Sequence, residues 1–324
     1  MKLGVTVGKF YPFHRGHDYL IRQAKAQVEQ LVVVVGAKPE QAISGNLRGN
    51  WIRVMHPDVE VYETLDDLPE APEPWAKRTL ELLGGRQPDV AFTSEAYGEP
   101  WAALMGARHI AIDCLREAFP ISGTQLRQDL ATHWQMLTPP AKAYFAKRIA
   151  VVGVESSGTT TLARSLAKQY QTVWVPEYGR WYWEGRQYLT DSDHWDSEEF
   201  IQIAQGQIAW EEALAIRANR LVVCDTDPLA TCIWHRRYLG SDCEKLQQIA
   251  ASRNYDLYLL TAPDFGFVQD GTRESESLRM SMHIRFLEEL ERQGKSYILV
   301  EGSHEGRMVQ ATEAIAQVLK FPSF

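Results

Sequence analysis

One arrangement occurs twice in this chain and constrains it more than anything else. A β-branched run, a glycine-containing turn and a helical pattern follow one another in KLGVTV, GKFYPFHRGH and DYLIRQAKAQVEQ, starting at Lys2. The same succession returns at Arg148 in RIAVVGV, ESSG and TTTLARSLAKQY. Each is a strand, a loop and a helix, the opening unit of a parallel α/β domain. At 324 residues the chain exceeds one ordinary core, so two opening units predict two domains. The stretch LTPPAKAYFAKR, with Pro139 and Pro140, precedes the second opening and places the division at 1–146 and 147–324. Further strands are expected at 31–36, 59–62 and 89–93, then at 172–176, 221–225, 257–261 and 297–301. Helical patterns lie between them, notably at 197–219, 279–293 and 304–319. Such alternation favours a parallel sheet in each half.

Composition removes several function classes. The net charge of -8 argues against a nucleic-acid binder, which needs a basic face. It leaves phosphate ligands open, because a few local donors suffice for them. The four cysteines, Cys114, Cys224, Cys232 and Cys243, form no C-x-x-C pair and read as reduced thiols. MKLGVTVGKF reads as a strand, not a signal peptide. The longest apolar run, Leu31 to Val35, is too short to span a bilayer. A soluble cytoplasmic protein without nucleic-acid or membrane partners is expected; self-association is left open.

Two stretches in the first half point to phosphate chemistry. GKFYPFHRGH holds Gly8, Lys9, Phe10, His14 and His17 at a strand-to-helix junction. Two imidazoles beside unpaired backbone N–H groups make an anion site. They can donate to a transferring phosphoryl group and stabilise its charge. A metal reading is weaker, since no third ligand stands nearby. In PISGTQLR, Ser122 and Thr124 are placed to cap a helix, with Arg127 one turn in. Arg and Ser at a helix start can hold a leaving pyrophosphate.

The second junction, GVESSGTTTL, nearly matches the phosphate loop G-x-x-x-x-G-K-[ST]. Gly153, Glu155, Ser156, Ser157, Gly158, Thr160 and Thr161 supply the loop and its first helical turn, while Thr159 stands where lysine belongs. That lysine neutralises the β- and γ-phosphates. Losing one strong donor there costs on the order of 3–4 kcal/mol, by analogy with oxyanion-hole deletions. Three outcomes are open: an arginine elsewhere (Arg164, Arg273 or Arg279) supplies the cation, the site binds nucleotide without fast turnover, or it is inert scaffold. Arg273 and Arg279 lie in a polar stretch, as phosphate donors or as solvated charges. Asp225 follows an apolar strand and fits an Mg²⁺-associated acid, with the Thr160 hydroxyl on the same ion. Glu177 and Asp227 compete for the role of base; a helix N-cap is the alternative for Asp225 or Asp227.

These motifs resemble a known family. GKFYPFHRGH and ISGTQLR are similar to the G-x-F-x-P-x-H-x-G-H and IS-x-T-x-x-R signatures of the nucleotidyltransferases, and most of all to NadR-type nicotinamide-nucleotide adenylyltransferases. The resemblance implies a Rossmann-like domain joining nicotinamide mononucleotide to ATP, giving NAD and pyrophosphate. His14 and His17 would hold the ATP phosphates, with Gly8 and Phe10 in the same motif, and Ser122, Thr124 and Arg127 would close over the β- and γ-phosphates. Arg48 and Trp51 in NLRGNW resemble the family's R-x-x-W segment. Trp75 is a candidate to stack on nicotinamide, or a loop Trp closing over the core. The second half resembles the P-loop ribosylnicotinamide kinase of the same family, through GVESSGTTTLA, VPEYGR (with Tyr178 and Arg180 toward substrate), VVCDTDPLATCIW, DGTR and EGSHEGR. The resemblance covers nearly the whole chain. An N-terminal helix-turn-helix of some longer relatives is expected to be absent, since the first strand begins at residue 3.

The expectation is therefore a bifunctional enzyme of NAD salvage using ATP, Mg²⁺, nicotinamide mononucleotide and ribosylnicotinamide. Its alternative is a monofunctional adenylyltransferase with a silent nucleotide-binding second domain. A nucleotidyltransferase acting on another phosphate, or a transcriptional regulator, fits the residues less well.

Overall fold

The computed structural model describes residues 2–95, 97–190, 194–264 and 276–324. They form two compact units, Met1–Ala141 with Phe321–Phe324, and Lys142–Lys320. The first break comes five residues before the expected 146/147, and the last four residues belong with the first unit rather than the second.

The first unit runs β1 (Leu3–Gly8), α1 (Arg15–Lys25), β2 (Gln30–Ala37), α2 (Gly45–Met55), β3 (Glu60–Leu65), α3 (Pro72–Leu82), β4 (Val90–Thr93), α4 (Gly98–Leu104), β5 (Arg108–Ala111) and α5 (Gly123–Gln128). Its sheet is parallel in the order β3-β2-β1-β4-β5. Helices cover both faces, so β2 is a continuous buried run, Leu31 to Val35, and not an alternating one. Val5, Val32, Val34, Ala91 and Trp101 form one side of the core. The chain order reverses between β1 and β4. GKFYPFHRGH leaves the sheet at that switch point, at the carboxyl end of β1, where open α/β sheets bind ligands. The sequence pattern missed β5, because RHIA is a short, partly exposed edge strand with no apolar run.

Helix α6 (Pro139–Phe145) leads into the second unit. There follow β6 (Lys147–Val152), α7 (Thr159–Tyr170), β7 (Val173–Val175), α8 (Tyr178–Arg186), α9 (Ser197–Ala215), β8 (Leu221–Asp225), α10 (Pro228–Leu239), α11 (Glu244–Ala251), β9 (Leu257–Thr261), α12 (Glu276–Arg292), β10 (Tyr297–Val300) and α13 (His304–Val318). The sheet is again parallel, in the order β10-β9-β6-β8-β7. β6 lies in the middle, with Ile149 and Val151 packed on Leu162 and Leu166 of α7. The carboxyl ends of β6, β7 and β8 therefore deliver the phosphate loop, Glu177 and Asp225 to one edge of the sheet. The expected helix at 197–219 stops at Ala215, where the chain turns toward β8.

Gly153 opens the phosphate loop under tight steric limits. A Cβ there would stand 2.7 Å from Ser157 Oγ and closer still to Thr261 Oγ1. Gly153→Ala is expected to lower stability by about 1–3 kcal/mol, the usual cost of overpacking. Calorimetry on the full chain measures this, and an unchanged unfolding profile would mean that the loop has room to give.

Candidate active sites at two strand-to-helix junctions

In the first unit, the local fold fixes the chemistry of the histidine pair. His14 adopts extended backbone angles (φ -125, ψ 171) and caps α1 with its own ring. Its Nδ1 accepts from the N–H of Gly16 at 3.1 Å and of His17 at 3.4 Å. The His17 Nδ1 accepts in return from the His14 N–H at 3.4 Å. This is a capping box built from two imidazoles in place of Ser and Glu. A ring nitrogen that accepts cannot carry the proton, so in each neutral ring the proton sits on Nε2. The rings stack with centroids 3.6 Å apart. Phe10 packs edge-on against His17 at 4.9 Å. Burial, with the Arg116 cation adding to it, lowers His14 to about 3. Burial and the neighbouring His14 hold His17 well below the ordinary imidazole range. The junction thus offers the neutral Nε2–H of His14, while the His17 ring N–H bonds to the Pro12 backbone.

These rings line a cavity of about 580 Å³, within the usual range for nucleotide-sized ligands. Gly8, Lys9, Phe10, Trp75, Ser122, Thr124 and Arg127 line it too. The two motifs meet backbone to backbone: a Cβ on Gly123 would stand 2.5 Å from the Tyr11 carbonyl oxygen. Ser122 caps α5 through the Gln125 N–H at 3.2 Å. Arg127 donates to the Tyr11 carbonyl at 2.7 Å and to Thr124 Oγ1 at 3.0 Å, with its guanidinium over the Tyr11 ring. Lys9 lies 3.5 Å from Asp66 and 3.6 Å from Glu70. The Trp75 indole lies against Gly36, where it faces the cavity while packing on the core.

Two sequence-predicted substrate residues are elsewhere. Arg48 is fully buried. Its guanidinium donates to the carbonyls of Lys9, Gly36 (3.3 Å) and Ser44 (3.2 Å) and to Gln41 Oε1 (2.7 Å), so it braces the loop from behind. Trp51 is 5% exposed on α2, outside the cavity lining. Their polar and aromatic character serves packing. Arg116, by contrast, belongs to no motif. It stands at φ +54 in a loop held by the Asp113 carboxylate, lines the cavity, and lies 3.9 Å from Glu95.

In the second unit, Gly158 caps α7 in the left-handed conformation (φ +89) with no side-chain hydrogen bond. The first-turn N–H groups of α7 thus have no competing cap, as a phosphate site requires. Ser157 is fully buried, and its hydroxyl bonds to the Val154 carbonyl and to Thr261 Oγ1, each at 2.6 Å. Its hydroxyl shapes the loop instead of meeting phosphate, a correction to the expected ATP contact. Arg307, the last residue of EGSHEGR, is 1% exposed and donates to the carbonyls of Ser157, Ala262 and Gly302. Glu155, Ser156 and Thr161 are exposed on the loop and first turn. Arg273 lies outside the described residues.

Asp225 ends β8 and is 2% exposed. Burial raises its pKa, while hydrogen bonds from Thr160 and Thr159 and the cations of Arg180 and Arg164 pull it down. Among the described residues no cluster of three or more His, Cys, Asp or Glu could hold a metal ion. One carboxylate beside one hydroxyl is nonetheless the hard-oxygen set that Mg²⁺ uses when phosphates and water complete its shell. Asp227 does not compete as a base. It is 1% exposed; Oδ1 accepts from the Ala230 N–H at 2.9 Å to cap α10, and Oδ2 accepts from the Tyr258 hydroxyl at 2.8 Å. Glu177, by contrast, is only partly buried and makes no side-chain cap to α8. Burial and the Asp225 carboxylate push it up to about 7. Arg180 is exposed one turn along α8, and the Tyr178 ring packs edge-on against Trp210 at 5.1 Å.

Comparison with known proteins agrees with this division. A model described as cytidylyltransferase-like matches residues 5–54, and one described as an AAA domain matches residues 148–307. The "Trifunctional NAD biosynthesis/regulator protein NadR" of Escherichia coli (strain K12) is 26% identical over 98% of this chain and 83% of its own length. A crystal structure of NadR in complex with NR aligns over 100% of this chain and 97% of its own, with TM-score 0.76 and 22% identity. A second, in complex with NAD and AMP-PNP, aligns over 100% and 98%, with TM-score 0.74 and 22% identity. The two parallel-sheet α/β domains expected from sequence are thus the NadR fold. No helix among the described residues is long and apolar enough to cross a membrane.

The neutral histidine pair makes a direct prediction. The ring protons of His14 are expected to keep their NMR shifts from pH 8 to pH 5, where an ordinary histidine titrates near 6.5. A depressed native pKa also means that stability is full above the unfolded value and declines as pH falls from about 6.5 toward 3. An inflection near pH 6.5 in the His14 signal would refute the buried, acceptor-Nδ1 arrangement.

Proposed function

We propose that this NadR-like chain makes NAD in two phosphate-transfer steps, one in each unit. In the first unit, a phosphate oxygen of nicotinamide mononucleotide attacks the α-phosphorus of ATP; the bond to the β-phosphate oxygen breaks and pyrophosphate leaves. The observation that carries this reading is the neutral His14–His17 pair facing one cavity with Arg127 and Lys9. The neutral Nε2–H of His14, backed by the stacked His17 ring, stabilises the charge that grows on the transferring group without taking a proton. Arg127, Lys9, Ser122 and Thr124 are positioned to receive the pyrophosphate, and Arg116 adds a cation beside the histidines. Trp75 offers an aromatic face for the nicotinamide.

In the second unit, the ribose 5′-hydroxyl of ribosylnicotinamide attacks the γ-phosphorus of ATP, ADP leaves, and Glu177 takes the hydroxyl proton. A carboxyl with a pKa of about 7 is matched to that task at neutral pH. Asp225 and the Thr160 hydroxyl would hold Mg²⁺, which supplies charge neutralisation on the phosphates when bound. Tyr178 and Arg180, which follow Glu177 at the start of α8, would contact the nucleoside. The product of this step is the substrate of the first unit, and the whole-length likeness to a NAD biosynthesis protein supports that pairing.

The test is to incubate the full chain with ATP and Mg²⁺, once with nicotinamide mononucleotide and once with ribosylnicotinamide, and to follow NAD, pyrophosphate and ADP by chromatography. Both substrates are expected to reach NAD. Reaction of the mononucleotide alone would reduce the protein to an adenylyltransferase with a silent second unit, and no reaction with either would end the reading. In the nucleoside reaction, the rate is expected to rise with pH through about 7, because Glu177 acts only when deprotonated. Glu177→Gln should lose about 100-fold or more, the usual contribution of a general base. A flat pH profile with an active Glu177→Gln variant would remove Glu177 from the mechanism.

A further inference from the structure

The phosphate loop lacks its lysine, yet a guanidinium stands on it. Arg279 of α12 donates from Nε to the Glu155 carbonyl at 3.2 Å and from Nη2 to the Ser156 carbonyl at 3.0 Å. It is 7% exposed, so the charge is held away from bulk water against the loop. Those two carbonyls belong to peptide units whose opposite ends are the N–H groups of Ser156 and of Ser157, the latter already donating to the Val154 carbonyl at 3.2 Å within the loop. A cation on the carbonyl side polarises these peptides and strengthens the positive potential of the nest that meets an anion. The other arginines considered are placed differently. Arg164 is exposed on α7 with its guanidinium 4.3 Å from the centre of the Trp174 ring. Thr159 cannot supply the charge, and its hydroxyl is committed to Asp225.

We propose that Arg279 has taken over the charge-neutralising role of the absent lysine, so that residues 159 and 279 are two alternative sources of one cation. The inference rests on the kinase reading of the second unit. It explains how a loop with threonine at the lysine position retains its glycines, its hydroxyl and its acid. The cation has moved to the carbonyl side of the loop, and Thr159 is released to hold Asp225.

Charge relocation in the full chain tests this. Arg279→Gln, Arg279→Lys, Thr159→Lys and the double variant Arg279→Gln/Thr159→Lys are assayed for ribosylnicotinamide-dependent ADP formation. Adenylyl transfer in the same samples reports on folding of the chain. Arg279→Gln is expected to lose about 100-fold, as for deletion of one strong donor at a transferring group. The double variant should regain at least about tenfold of that loss, since the P-loop lysine acts as a point charge. Arg279→Lys, which keeps the charge but not the planar fork, should fall less than Arg279→Gln. Activity of Arg279→Gln within about threefold of the parent, far short of a donor-deletion effect, would overturn the inference. So would an equal loss in the Lys, Gln and double variants, which would make Arg279 a brace for the loop and nothing more. A parent inert toward the nucleoside would overturn the kinase reading and this inference together, whereas an active parent with indifferent Arg279 variants sinks the inference alone.

Discussion

The backbone N–H groups at the start of a helix have no partners within it, and this structure turns on how they are satisfied. At α5 and α10 the solution is ordinary, with Ser122 and Asp227 side chains accepting from the first turn. At α1 the acceptor is an imidazole, which makes the cap itself part of the chemistry. At α7 no side chain caps the helix at all. At both candidate sites the helix start departs from that ordinary cap. In one, the cap orients an imidazole donor; in the other, the N–H groups are kept for an anion.

The capped histidines show how one local bond propagates. Because Nδ1 of each ring accepts from the backbone, the tautomer is fixed before any ligand arrives. Because the rings stack at 3.6 Å in a buried place, neither gains a charge near neutral pH. The second unit works in the opposite sense. There burial raises the proton affinity of both Glu177 and Asp225, the Asp225 carboxylate adds to it at Glu177, and hydroxyls and arginines offset it at Asp225. Environment, and not residue type, sets the two carboxyl groups apart.

Both junctions could be read in the sequence, because a strand, a glycine turn and a helix leave a strong local pattern. The two parallel sheets followed from the same alternation. Side-chain roles were harder to read. Arg48, Trp51, Ser157 and Asp227 look like ligand-binding residues, yet all four are buried, and Arg48, Ser157 and Asp227 are bonded to scaffold partners. A polar residue within a motif has the same letter whether it faces the cavity or holds the loop from behind. The roles of Arg116 and Arg307 are hidden in the sequence for the converse reason. Their partners are distant in sequence, so no spacing betrays them, and only the folded chain brings Arg116 to the histidines and Arg307 to the Ser157 carbonyl.

The last four residues have a consequence for how the chain is made. Phe324 lies edge-on to Tyr11 at 5.7 Å, Phe321 packs on Trp134 at 5.6 Å, and the Ser323 hydroxyl donates to the Gln128 carbonyl at 3.2 Å. The first unit is therefore discontinuous in sequence, opened by residues 1–141 and closed by residues 321–324. Synthesis proceeds from the N-terminus, so the ring of Tyr11, three residues from His14 in the same loop, waits uncovered while the whole second unit emerges. A fragment cut after residue 141 would be held in that unfinished state. The loop that carries His14 gains its last packing partner only when the second unit has been translated.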